Sequence, residues 1–176
     1  MLERDPDLLE RVEACVQRMF EGTAHRVVWA DASPVQGSSV PRGRWNSPNS
    51  GFEVLNTSLD GDGAAAEFEA FWSLFEQRPG RVALNWTLRV KLERVVELNF
   101  TQLEQLSVQQ ADYEGRDYAR TQEISDALNY LGCEGLIVPS ARHEGKNLII
   151  YMQNLGPGCF VEEEEPSTFA WRDSVT

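Results

Sequence analysis

The residues best suited to chemistry in this chain are arginines, one glutamate and one serine. Arg26 opens the short apolar run Val27-Val28-Trp29, and Arg44 sits in the segment Gly43-Arg44-Trp45-Asn46-Ser47-Pro48. Glu67 lies early in a helix-forming stretch, and Pro139-Ser140-Ala141-Arg142 follows the apolar run Leu136-Ile137-Val138. Guanidinium groups present planar forks of donors that match phosphate oxygens, so Arg42-Gly43-Arg44 reads as a site for a small anion. Other chemistries lack their residues. Two histidines, His25 and His143, form no HExxH or Cys/His ligand set, so no metal is expected. Asp60 and Asp62 belong to a tight turn, because the twelve-residue calcium loop is absent. Neither a GxSxG elbow nor a GxxxxGK[ST] or GxGxxG cradle occurs.

Each of these residues also has a plainer use. Glu67 in the first turns of a helix complements the helix dipole, and Glu69 is its chemical equal. Arg26 and Arg44 can pair with the chain's many carboxylates, Ser140 can shape a turn, and Trp45 can plug the core. His143 and Glu144 can form an acid–base pair or simply face solvent.

The elements that must position these residues follow from periodicity. Asp5 caps a first helix with Pro6 at its first position, and Leu8, Leu9, Val12, Val16, Met19 and Phe20 form one stripe ending near Gly22. Residues 31–51 form a long irregular loop rich in Ser, Pro and Gly. Val54-Leu55-Asn56 is a short strand. Ala64 to Glu76 is a helix with an apolar face of Phe68, Phe71, Trp72 and Phe75. A period-two run starts at Val82 and continues through Val95, Val96 and Leu98. Short helices fit Thr101–Leu106 and Arg116–Leu131, buried strands fit Leu136–Val138 and Leu148–Tyr151, and a last strand fits Phe169–Trp171. Glu162 to Glu165 reads as a solvated charge run. The whole is one α+β domain, with residues 1–25 as an N-terminal helical segment packed on a domain of residues 26–176.

Taken in order, these segments resemble the RES domain family. The resemblance rests on His25-Arg26-Val27, Arg42-Gly43-Arg44-Trp45-Asn46, Ala65-Ala66-Glu67 and Gly135-Leu136-Ile137-Val138-Pro139-Ser140-Ala141-Arg142, and it runs from about Arg26 to Tyr151. It implies an ADP-ribosyltransferase-like fold, an antiparallel, split sheet flanked by short helices. It also implies a toxin that breaks the nicotinamide–ribose bond of NAD⁺, by phosphorolysis with inorganic phosphate or by hydrolysis, and a restraining Xre-type antitoxin. Carried onto this chain, the family's arginines fall on Arg26 and Arg44, its glutamate on Glu67 and its serine on Ser140. Its tyrosine position is Asn56, which removes a ring from the site. In that scheme Glu67 steadies the oxocarbenium-like sugar. Arg26 and Arg44, with Arg142 as a third, grip the diphosphate, and Ser140 donates to a phosphate oxygen. Trp45 or Trp29 replaces the missing ring as a stacking surface. Transfer of ADP-ribose to a protein, and a catalytically weak interaction module on the same fold, remain as alternatives.

Composition bounds the partners and compartment. With 28 acidic against 16 basic residues the net charge is −12, which opposes binding to nucleic acid or anionic membrane. Three scattered cysteines, no signal-peptide pattern at the start and no apolar run of spanning length together point to the cytosol.

Overall fold

The first helix is shorter than its apolar stripe implies. The structure, a computed structural model, describes residues 3–49 and 51–172. Ser50, part of the expected loop, and residues 1–2 and 173–176 of the expected segments lie outside them. α1 runs Pro6–Glu13, capped by the Asp5 carboxylate, which accepts the Asp7 amide at 3.0 Å. Leu8 and Val12 are buried as the stripe requires, but Gln17–Trp29 is β1, a strand of thirteen residues. Val16 and Met19, placed on the helical stripe, are 83% and 61% exposed. The reason is long-range. β1 pairs antiparallel with β3 (Ala83–Glu97) from Gln17 opposite Val96 to Trp29 opposite Ala83, and that ladder overrides the local pattern.

Between these strands come β2 (Val54–Ser58) and α2 (Gly61–Trp72). After β3 follow α3 (Phe100–Gln105), α4 (Gln110–Glu114) and α5 (Ala119–Tyr130). β4 (Gly135–Pro139), β5 (Lys146–Tyr151), β6 (Phe160–Glu163) and β7 (Ser167–Thr168) complete the domain. The expected strand at Phe169–Trp171 is not one. β7 stops at Thr168, and Phe169 turns its ring onto Phe68, centroids 5.3 Å apart, while its amide donates to the Ala83 carbonyl. The acidic run is exposed, with Glu162 paired to Arg89 across β6 and β3.

The order β1-β2-β5-β4-β3, with β3 returning to β1, closes five strands into a ring. Only β3 and β4 run parallel, and the β1–β2 junction is a single pair, His25 opposite Ser58. Alternation then sorts the side chains. Leu55, Leu88, Val90, Leu92, Ile137, Leu148 and Ile150, with Ala24, form one cluster drawn from all five strands. Val54, Val96, Leu136, Val138, Ile149 and Tyr151 point to the opposite face, against Leu8 and Val12 of α1, Leu103 of α3 and Ile124 and Leu128 of α5. α2 packs separately, through Ala64 and Ala65 on Val27, Ala83 and Phe169. The α+β domain read from the sequence is the fold observed.

Candidate functional site

A cleft of about 290 Å³ opens between α2, β1, β2 and the loop before β2. Arg26, Arg44, Asn56, Glu67 and Arg142 all line it, so residues far apart in the sequence share one space.

Glu67 is held from two sides. α2 is started by Asp60, whose carboxylate accepts the Gly63 amide at 2.6 Å, and this presents Glu67 two turns later. Glu67 Oε1 accepts Ser140 Oγ at 2.9 Å and Asn147 Nδ2 at 3.0 Å. Asn147 is itself oriented, because its Oδ1 accepts Ser58 Oγ at 3.0 Å. Among the described residues no donor reaches Glu67 Oε2, so one carboxylate oxygen is left for a ligand. Ser140 Oγ accepts the amides of Arg142 and His143 at 3.1 and 3.2 Å. A hydroxyl has one hydrogen, and here it is committed to Glu67. The donation to phosphate expected of Ser140 is therefore replaced by the task of holding the carboxylate.

The loop carrying Arg44 is irregular yet fixed. Three consecutive carbonyls, of Gly43, Arg44 and Trp45, accept from Gln122 Nε2 at 3.1 Å, Thr121 Oγ1 at 2.8 Å and Ser125 Oγ at 2.6 Å, all on α5. Asn46 turns back, donating to the Ser38 carbonyl at 2.7 Å and accepting Asn56 Nδ2 at 3.3 Å. A side chain at Gly43 would meet the Asn46 amide oxygen and displace it from its hydrogen bond with Asn56. The Arg44 guanidinium is then sandwiched by Tyr113 and Tyr118, 4.5 and 4.7 Å from the ring centres. Its Nη2 donates to the Gly115 carbonyl at 3.4 Å, while Nη1 is buried and has no partner. Burial lowers the Arg44 pKa, opposed by Tyr113, Tyr118 and Glu67 and reinforced by Arg142.

Arg26 behaves differently. Its Nη1 donates to the carbonyls of Pro34 and Gln36 at 2.9 and 3.1 Å, so part of its fork holds the start of the loop. Burial pushes its pKa down to about 10. Arg142 lines the cleft with its Nη1 on the Glu114 carbonyl at 3.0 Å.

Five arginines thus border the cleft: Arg26, Arg42, Arg44, Arg116 and Arg142. Among the described residues none of them forms an ion pair, although the chain carries 28 acidic residues. The pairing with carboxylates that would make Arg26 and Arg44 ordinary surface residues does not occur. Guanidinium groups without carboxylate partners around a concave space are suited to holding an anion, and Glu67 is the one carboxylate among the described lining residues.

Other expectations are corrected. Trp45 borders the cleft, but its ring is the core plug that the sequence also allowed and not an open stacking surface. It is 3% exposed in the core, beside Tyr113, because the α5 hydroxyls draw its backbone inward. Trp29 packs on Phe68 and Trp72, centroids 5.1 Å from each, and is not among the cleft-lining residues. His143 faces Asp60, Nε2 to Oδ1 3.3 Å, and so pairs across to the cap of α2 and not with Glu144. Asn56 projects from β2 into the cleft as an exposed amide. Asn147, Tyr118 and Arg116 were missed. Asn147 carries a usable signal, a polar residue immediately before the run Leu148–Tyr151 of β5. The tyrosine sandwich carries none, since it forms only when α4 and the turn after it meet the loop.

The comparisons with known proteins agree with this architecture. The RES domain model matches residues 16–172, from just before β1 to beyond β7. No curated protein sequence matches the chain. Among solved structures, a chain of the crystal structure of the M. tuberculosis MbcT–MbcA toxin–antitoxin complex superposes with a TM-score of 0.82. That alignment has 21% identity and covers 94% of this chain and 93% of that one. The likeness is one of fold. The family match takes in every element that builds the cleft, and this chain belongs to the RES domain family.

Proposed function

We propose that this protein is a RES-type toxin that cleaves the nicotinamide–ribose bond of NAD⁺, with phosphate or water as acceptor. The observation that carries the reading is the carboxylate of Glu67, fixed by Ser140 and Asn147 in a cleft whose arginines have no carboxylate partners among the described residues. The diphosphate of a dinucleotide supplies the missing counter-charge, and the buried, unpartnered Nη1 of Arg44 is a donor awaiting an oxygen. With the diphosphate held there, the adjoining ribose comes beside Glu67. The C1′–N bond breaks with its electron pair leaving on neutral nicotinamide, and positive charge grows on the sugar. A carboxylate already held in place stabilises that charge without reorganising. A new C1′–O bond then forms to phosphate, or to water with loss of a proton.

The partner belongs to the same proposal. A structural neighbour is a chain of a toxin–antitoxin complex, and we assign this chain an antitoxin of Xre type that restrains it.

The test uses the purified protein and NAD⁺, with and without inorganic phosphate, following nicotinamide release. Release with ADP-ribose 1″-phosphate as co-product establishes phosphorolysis, and release with ADP-ribose establishes hydrolysis. Glu67→Gln lowers the rate at least roughly 100-fold while the melting temperature holds. No release by the unsubstituted protein, or an unimpaired Glu67→Gln, refutes the proposal.

A further inference from the structure

The cleft changes character along α2. Near Glu67 it is cationic, because Arg44 and Arg142 lie close enough to act electrostatically on one another and Arg44 on Glu67. One helical turn further on it is apolar. Phe71 lines the cleft four residues after Glu67, about 6 Å along the helix axis, and Leu74 follows in the turn that ends the helix. Both are conspicuously open for large apolar side chains, Phe71 40% and Leu74 52% exposed.

Phe71 is also braced. Trp72 meets it edge to face, centroids 5.1 Å apart and planes at 90°, and Phe75 packs on it at 5.8 Å. The ring is therefore a supported platform with one side bare. A floppy surface phenylalanine would lose more order on binding a ligand than one already fixed by its neighbours.

We infer that Phe71, with Leu74 beside it, is the binding shelf for the nicotinamide ring of the substrate, an inference that rests on the proposed NAD⁺ cleavage. Glu67 has guanidinium groups near it, those of Arg44 and, next to Arg44, Arg142, and an aromatic ring one turn along α2 on the same face. The order along the reacting half of the dinucleotide is diphosphate, ribose, pyridinium, and the pyridinium is bonded directly to the carbon that Glu67 must face. A cationic heteroaromatic ring is repelled by guanidinium groups and attracted by the face of a phenyl ring. Asn56, on β2, brings an amide to the cleft and no ring; of the Phe, Tyr and Trp rings that do line it, Tyr118 is taken up by Arg44, Trp45 and Phe68 are packed into core clusters, and Phe71 is the exposed one. Once the bond breaks the ring is neutral, the cation–π attraction is lost, and the leaving group is released toward the open end of the shelf.

The experiment compares NAD⁺ turnover with competitive inhibition by ADP-ribose, which lacks the pyridine, in the unsubstituted protein and in Phe71→Ala, Phe71→Leu and Phe71→Tyr. Stacking of one base on an aromatic ring corresponds to roughly 5- to 100-fold in affinity. Phe71→Ala and Phe71→Leu are expected to raise the KM for NAD⁺ by that factor and to leave the inhibition constant of ADP-ribose within about twofold, whereas Phe71→Tyr restores the original KM. Phe71→Leu keeps an apolar side chain and separates loss of the ring from loss of packing. An unchanged KM for NAD⁺, or an equal rise in both constants, overturns the shelf while NAD⁺ cleavage stands. Absence of nicotinamide release from the unsubstituted protein overturns the underlying reading and the shelf with it.

Discussion

Ser140 Oγ donates to Glu67 Oε1 at 2.9 Å, and the same oxygen accepts the amides of Arg142 and His143. The serine thus ties the loop after β4 to the middle of α2, and the carboxylate cannot swing without breaking that tie. Asn147 adds a second tether at 3.0 Å from β5. Ser140→Ala and Asn147→Ala are expected to lower kcat for nicotinamide release about 10- to 100-fold, with a smaller change in KM, since a carboxylate displaced by an ångström costs that order of rate. If either substitution raises KM with kcat unaltered, that side chain binds substrate and does not position Glu67.

Arg44 provides a test of the anion site that needs no turnover. A ligand that binds the folded state at 100 times its dissociation constant adds about 2.7 kcal/mol of stability. For a chain of this size that is a rise of about 5–11 °C in melting temperature. ADP, which carries a diphosphate and no pyridine, should produce such a shift in the unsubstituted protein. Arg44→Ala and Arg44→Lys should both weaken it, because a lysine cannot fill the flat space between Tyr113 and Tyr118 or present a two-pronged donor. Equal shifts in all three proteins would remove Arg44 from the site.

How much of this was legible in the residues depends on the range of the interaction that decides each feature. The period-two run of β3 and the strands β4 and β5 are encoded within a few residues and are readable, whereas Asp60 and Asp62, read as a tight turn ahead of a helix from Ala64, prove to be the cap and first turn of α2, Gly61–Trp72. Also readable is the convergence of Arg26, Arg44 and Glu67 on one cleft, through the ordered segments shared with the RES family. β1 is not. Val16, Met19 and Phe20 stand at helical spacing, and only the pairing of β1 with β3 some seventy residues on, Phe20 opposite Leu92 among its pairs, shows that the chain from Gln17 is extended. The sequence leaves Trp45 two uses, a stacking surface for the ligand and a plug for the core, and only the second is seen. The burial of Trp45 is decided by α5, whose hydroxyls and amide take up the carbonyls of Gly43, Arg44 and Trp45. For Ser140 the sequence suggests a donor to phosphate, whereas its hydroxyl hydrogen goes to Glu67, since the direction of that hydrogen is settled by the acceptor it meets.

Gly145 links the cap of α2 to the serine loop. A Cβ there would overlap the Asp60 carboxylate, which already accepts the Gly63 amide and faces His143. Gly145→Ala should push Asp60 from the cap, and loss of an N-cap costs about 0.5–2 kcal/mol. That corresponds to about 1–8 °C in melting temperature, accompanied by lower kcat because α2 carries Glu67. A variant with unaltered melting temperature and turnover would show that Asp60 has another rotamer at no cost.

Glu134 offers a stability prediction with a defined pH dependence, away from the cleft. Its side chain is nearly wholly buried. Burial alone raises a carboxyl pKa, yet here the Glu93 amide at 2.6 Å, the Cys159 thiol at 3.1 Å, the Arg94 amide at 3.1 Å and the charge of Arg94 prevail and hold it below the ordinary value. A carboxylate whose pKa is lowered on folding contributes stability that is fully present above the unfolded value, about 4.3, and is lost as pH falls through the folded value. Glu134→Gln keeps the shape and removes the charge. At pH 7 it should cost about 1–3 kcal/mol, the range for a charge-assisted bond left unmade in the interior, and lower the melting temperature by about 2–12 °C. The gap between the two proteins should then narrow as the pH is taken below about 4, where the native carboxylate takes up its proton. A gap that stays constant from pH 7 to pH 3 would mean that packing, and not the charge on Glu134, secures the junction of β3 with the residues before β4.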